Sequence, residues 1–283
     1  MKRAIRETVI LFIKGGAIGV ANIIPGVSGG TLAVVLGVYD RLIEAIAYFF
    51  KKPEKRKEYI FFLMKVFTGA ACAVILLVNV MDFFLKEHFF ETMFLFMGII
   101  LGGIPCVVTS HKDMKIRTSR ILSFVLGMII ILGLSMLAKK YGGDVVPVLD
   151  VSLLNNKALL MIGVAGFLAG GAMIIPGISG SFILVLMGQY AVIISAVKCL
   201  AVKPLIFMAI GAGFGILVFS RVIEVCLEKI TAITYYFILG MIVASFYKIF
   251  PGIPTDKIVV FYCLIMFVIG TGISFLLSKV SAR

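Results

Sequence analysis

ANIIPGVSGGTLAVVLGVYDRLIEA, residues 21–45, recurs 151 positions later as AMIIPGISGSFILVLMGQYAVIISA, residues 172–196. Identities include Ala21, Ile23, Ile24, Pro25, Gly26, Ser28, Gly29, Val34, Gly37, Tyr39 and Ala45. These meet Ala172, Ile174, Ile175, Pro176, Gly177, Ser179, Gly180, Val185, Gly188, Tyr190 and Ala196. Outside this core the likeness continues more weakly at a spacing of 142, pairing Gly69 with Gly211, Ala70 with Ala212 and Gly98 with Gly240, and setting Asp82 opposite Glu224. The chain therefore reads as a duplication within a single membrane domain: repeat one 1–138, an external linker 139–157 and repeat two 158–283.

The surroundings of both copies are apolar. Hydrophobic residues make up 61% of the 283 residues and charged ones 14%, with a mean hydropathy of +1.16. Soluble domains average about 45–50% apolar and about 25% charged. That excludes an ordinary soluble enzyme, a disulfide scaffold and a disordered chain, and leaves an all-α polytopic membrane protein. The net charge of +13 is better explained by basic loops meeting anionic lipid than by nucleic acid, which is not expected as a partner. Cys72, Cys106, Cys199, Cys226 and Cys263 form no CxxC pair and read as small buried hydrophobes, with no metal and no cofactor expected. The N-terminus superficially resembles a signal peptide but runs on into Asn22 and Pro25 without a convincing cleavage site, so it is read as structure.

A helix needs about 20 apolar residues to cross the hydrocarbon. Residues 59–81, 89–109, 119–138, 204–222, 231–250 and 257–278 satisfy this. Stretches 7–50 and 158–197 are apolar throughout, but each is interrupted by its Pro-Gly-Ser-Gly cluster. Basic residues flank 7–50 on both sides: Lys2, Arg3 and Arg6 before it, and Lys51, Lys52, Lys55, Arg56 and Lys57 after it. With both flanks cytoplasmic, the stretch enters, turns at PGVSGG and comes back out. Three crossings follow, so the second hairpin enters from the opposite face and both termini lie inside. The segments so placed in the cytoplasm carry twice as many basic residues as the external ones. Each half is then a re-entrant helical hairpin plus three transmembrane helices, the two related by inversion, as in secondary transporters.

Non-helical backbone at membrane depth is tolerated where protein or a water-filled cavity surrounds it. Pro25 and Pro176 each stop a half-helix, while Gly26, Gly29, Gly177 and Gly180 allow positive φ and close approach. Ser28 and Ser179 are placed to cap the half-helix that follows or to meet a ligand. Freed N–H groups at a positive helix end suit a phosphate or carboxylate. The alternative is a pair of proline kinks in ordinary long helices; two symmetric copies with matching flanks argue against it.

Near the first tip, Arg41 is a candidate guide for an anionic headgroup, and Asp40 and Glu44 are candidates for a coupling proton, against a plainer reading of local pairing. Their counterparts Ala191, Val192 and Ser195 are uncharged, so the halves differ chemically. Lys14 reads as a snorkelling residue. Asp82 and Glu224, at the ends of equivalent spans, read as solvated, and His88 and His111 have no metal-spaced partner.

At these motifs the chain resembles the bacterial polyprenyl-phosphate transporter family, through GVANIIPGVSGGTLAVVLGVYDRLIEAI at 19–46 and AGGAMIIPGISGSFILVLMGQY at 169–190. The resemblance implies a flippase in the bacterial cytoplasmic membrane. It would return undecaprenyl phosphate from the outer to the cytoplasmic leaflet for cell-wall polymer synthesis. By position, it implies a headgroup site at Asn22, Pro25, Gly26, Ser28, Gly29, Gly30 and Thr31, with Pro176, Gly177, Ser179, Gly180 and Ser181 opposite. Undecaprenyl phosphate and membrane lipid are the implied partners, and a homodimer is compatible with the sequence. A phosphate carries about −1.5 to −2 charges near neutral pH, so the head needs a polar path that the isoprenoid tail does not.

PGISGS also resembles the PGxSRS signature of membrane-embedded undecaprenyl-pyrophosphate phosphatases. Gly29 and Gly180 replace its arginine, however, and no paired-glutamate stretch accompanies it. No enzyme is expected. A carrier of a small soluble anion is the remaining alternative. Protons are the expected driving ion, since acids are present and no ATP motif is.

Overall fold

Glycine and proline divide a chain of otherwise strong helix formers, and the helices break where those residues fall. The computed structural model describes residues 2–24, 27–109, 113–141 and 155–281; no strand occurs among them. The helices are α1 (Lys2–Ile23), α2 (Gly29–Val35), α3 (Tyr39–Ala47), α4 (Arg56–Glu87), α5 (Phe89–Thr109) and α6 (Thr118–Tyr141). Then come α7 (Asn156–Ile174), α8 (Gly180–Leu186), α9 (Tyr190–Lys198), α10 (Val202–Lys229), α11 (Thr231–Ile249) and α12 (Lys257–Ser281). Among the described residues seven are long and apolar enough to cross a membrane, namely α4, α5, α6, α7, α10, α11 and α12. The protein is an all-α, multi-pass membrane protein.

The broken stretches differ from the expected pairs of half-helices. Their first limbs are full-length: α1 has 22 residues and α7 has 19, about 33 and about 28 Å at 1.5 Å per residue. The return limbs are the short ones, each split in two at an elbow. Val34–Val38 shows why. Gly37 adopts φ 68°, its N–H bonds the Val34 carbonyl, and the Val38 N–H bonds that of Ala33, both at 3.0 Å. This is a Schellman stop, which needs a left-handed residue at its centre. Gly188 (φ 65°) repeats it, with Gln189 N–H on the Leu184 carbonyl. There α8 and α9 bend by 113°.

Ion pairs locate the open ends. Arg41 on α3 bonds Glu7, near the start of α1, at 3.2 Å and Glu58, at the start of α4, at 3.3 Å. The first broken stretch thus begins and finishes at one end of the bundle, where Tyr48 also meets Glu228 of α10. In the second stretch Leu159 and Ile162 of α7 pack with Val192 of α9 against Met208, near the start of α10. In the connection between α5 and α6, Arg120 grips Asp113 at 2.6 Å and holds that carboxyl down at about 2.

Four helix pairs carry most of the packing: α1 with α4, α7 with α10, α5 with α12, and α6 with α11. Each approaches closely enough that glycines from both helices face partner backbone, as Gly69 faces the Phe12 carbonyl, Gly211 that of Gly163, Gly98 that of Phe267 and Gly240 that of Phe124. Small residues are the means by which helices associate in lipid. Exchanging the halves turns α1–α4 into α7–α10 and α5–α12 into α11–α6. The cysteines fall partly outside the expected reading: Cys263 is buried, but Cys72 and Cys199 are exposed on the bundle's outer surface.

Candidate functional site

The two broken stretches meet at their tips. Ser28 Oγ donates to the Ile178 carbonyl at 3.1 Å, the Gly177 N–H donates to Thr31 Oγ1 at 2.8 Å, and the Tyr39 hydroxyl donates to the Ile174 carbonyl at 3.0 Å. A Cβ on Gly30 would lie 3.2 Å from the Met173 carbonyl and 3.4 Å from those of Ile174 and Ile175. The tips are therefore packed backbone to backbone, and Gly177 makes its turn at φ 83°. Pro25 and Gly26 lie outside the described residues, as do His111 and most of the expected linker.

Ser28 and Ser179 occupy the N-cap positions of α2 and α8, but neither side chain caps its helix. Ser28 is drawn across to the other tip, and Ser179 Oγ pairs with Ser181 Oγ at 2.8 Å. Asn22 takes over the cap in the first tip: its Oδ1 accepts the Gly29 N–H at 3.3 Å. At the far end of α2, Lys14 Nζ donates to the Leu36 carbonyl at 2.7 Å. Lys14 is fully buried and does not snorkel. Its length lets α1 deliver a cation to the last carbonyls of a helix packed alongside, which the apolar flanks of Lys14 alone did not reveal. The residues 151 positions on are Ala165 and Met173, so α8 has neither brace.

The tips differ in exposure accordingly. Every residue of α2 is buried, whereas in α8 only Gly180 and Leu184 are. Ser28 and Thr31 are occluded, while Ser181 is exposed. Lys248 of α11 stands over the Phe182 ring at 5.6 Å, next in sequence to Ser181. It was missed in the sequence because it lies at a helix end where basic residues are commonplace.

Arg41, Asp40 and Glu44 lie away from the tips. Arg41 is engaged by Glu7 and Glu58 and stacks over Phe62 at 4.7 Å. Asp40 accepts the Tyr235 hydroxyl, and Glu44 accepts that of Tyr59 at 3.0 Å. These three, with Glu224, Glu228 and Tyr235, line a polar vestibule of about 490 Å³ between α3, α10 and α11. Asp82 pairs with Lys86 at 2.7 Å on the surface. Its counterpart Glu224 is buried rather than solvated, because α3 packs across α10 at that level. Beside the second tip, Ile175 and Pro176 join Phe219, Ile223, Phe237 and Met241 around an apolar cavity of about 300 Å³.

Residues 18–261 match the VCA0040-like family, described as undecaprenyl phosphate translocase-like. The chain belongs to this family. Among its relatives, a polyprenyl-phosphate transporter of Staphylococcus aureus is 30% identical over 283 residues, covering 97% of each chain. Another, from Vibrio cholerae, is 30% identical over 253 residues, covering 85% of this chain and 77% of its own. No solved structure matches. Both relatives are named as transporters, in keeping with a protein that is not an enzyme.

Proposed function

We propose that the protein moves polyprenyl phosphate, undecaprenyl phosphate in bacteria, between the leaflets of the cytoplasmic membrane and returns the carrier inward for cell-wall polymer synthesis. Family membership supports the substrate class. The direct meeting of the two tips is the observation that carries the site, since it brings the hydroxyls of both repeats to one place. In this reading the halves are inverted repeats with cytoplasmic termini, and α1–α3 and α7–α9 are re-entrant from opposite faces. Asn22, Ser28 and Thr31 serve the head from one side, and Ser179 and Ser181 from the other, with Pro25, Gly26, Gly29, Gly30, Pro176, Gly177 and Gly180 shaping the turns.

The chemistry is a division of labour. A phosphate head cannot enter hydrocarbon without partners, whereas its tail needs none. Ser179 and Ser181 are accessible in this conformation and have the Lys248 ammonium nearby, so they receive the head. The apolar cavity at Ile175 and Pro176 offers room for the tail beside the tip. Arg41 acts at a distance, by holding α3 to α1 and α4. The vestibule containing Asp40 and Glu44 is where a proton would enter.

Reconstitution into liposomes tests this, with undecaprenyl phosphate movement between leaflets as the readout. Wild type accelerates movement over protein-free vesicles, and the double variant Ser179→Ala, Ser181→Ala loses most of that acceleration. An unchanged double variant overturns the site. Phosphate release from the pyrophosphate form, or uptake of a soluble anion without lipid movement, overturns the function.

A further inference from the structure

The acids of the vestibule are not equivalent. Asp40, Glu44 and Glu228 each hold a tyrosine hydroxyl, from Tyr235, Tyr59 and Tyr48 respectively. Glu224 holds none. It is 8% exposed, its side chain forms part of the vestibule wall, and no hydrogen bond or ion pair reaches it among the described residues. One turn earlier, Arg221 lies over the Tyr48 ring at 4.5 Å with its Nη1 buried and unbonded. A carboxylate that is largely buried, faces the vestibule with no protein donor and stands among other carboxylates is costly to keep charged, and the cheapest remedy is a proton. A metal ion is a poor substitute, because no three His, Cys, Asp or Glu side chains converge on one point among the described residues.

We propose that Glu224 binds and releases the coupling proton of transport; this rests on the transporter reading above. Its position suits the task. The groups around it are Asp40, Arg41 and Glu44 from α3, Tyr48 just after it, Arg221 and Glu228 from its own helix, Tyr235 from α11 and Tyr59 from α4. From α7, residues 158–174 bring no ionisable side chain. Glu224 therefore sits where α3 closes on α10, amid three other carboxylates and two guanidiniums. A proton arriving there changes the balance of charge across that contact. The tyrosine-held acids line the approach, and the buried one stores the proton. Repeat one has no equivalent, since Asp82 is at the surface with Lys86.

Two measurements on the full chain in liposomes test it. Infrared difference spectra between acid and alkaline buffer, taken without substrate, report protonated carboxyls directly. Wild type should show such a band, Glu224→Gln should lose it, and Glu224→Asp should restore it at a shifted position. This arm is independent of whether the protein moves lipid. In the second, a pH gradient should accelerate undecaprenyl phosphate movement by wild type and by the surface variant Glu87→Gln, and the acceleration should vanish in Glu224→Gln. A band unaltered by Glu224→Gln overturns the proposal, as does gradient acceleration that survives the substitution or follows sodium instead. Lipid movement absent from wild type, with the band intact, overturns the transport reading instead.

Discussion

Thr31 shows how much of the site rests on single hydroxyls. It is buried, and its Oγ1 receives the Gly177 N–H from the other tip. Thr31→Val keeps the shape and removes the acceptor, leaving a buried N–H with nothing to bond. Such an orphan costs about 1–3 kcal/mol. The expected outcome is a lower thermal midpoint for the purified protein and impaired lipid movement, both recovered by Thr31→Ser. An unshifted midpoint would mean that the tip contact contributes little to stability. The same contact explains the small residue beside it. At Gly30 any side chain would press on three successive carbonyls of the opposite tip.

At the scale of elements, the two return limbs follow one plan with unequal support. Both stop at a Schellman glycine, Gly37 and Gly188, and both were legible as breaks because Pro and Gly punctuate helices by covalent geometry alone. The lengths of the first limbs were not legible: α1 and α7 run almost to the tip, since the proline after each ends a helix without setting where the helix began. Nor was the brace. Nothing in KGGAIGVAN at 14–22 says that Lys14 and Asn22 will serve opposite ends of another helix, because that depends on α2 lying antiparallel to α1. Glu224 was misjudged for a similar reason, as only α3 crossing α10 buries it. The consequence is unequal mobility. Backbone amides in α8 should exchange hydrogen faster than those in α2, since only Gly180 and Leu184 of α8 are buried whereas all of α2 is, and α8 has no counterpart of the Lys14 and Asn22 brace. Lys14→Met, which strands the Leu36 carbonyl, should raise exchange in α2 toward that of α8. Equal rates in the wild type would argue against a fixed first hairpin and a looser second one.

Across the whole molecule, the four principal helix pairs survive exchange of the halves, but the contacts of the hairpins do not. α3 packs on α10 and α2 on α5, and no comparably extensive contact joins α9 to α4 or α8 to α11. In the transport reading proposed above, a symmetric frame with unequal hairpins represents one of two related arrangements. With the halves read as inverted repeats, the other arrangement is obtained by exchanging roles: α9 closes on α4 while α3 leaves α10. The head would pass from Ser179 and Ser181 to Ser28 and Thr31 as the tips slide past each other. Only a contact that opens can be used to stop this cycle. Tyr48 on the segment after α3 touches Glu228 of α10, so cysteines at these two positions, in a background lacking the five native ones, place a cross-link across the closing contact. A short cleavable cross-linker should abolish lipid movement, and cleavage should restore it. A cross-link between cysteines at Gly16 and Ala73, within the α1–α4 frame, where a Cβ on Gly16 would sit 3.5 Å from that of Ala73, should leave movement intact. If both cross-links are tolerated, α3 does not leave α10 during transport, and the head must reach the second leaflet without exchange of the hairpins.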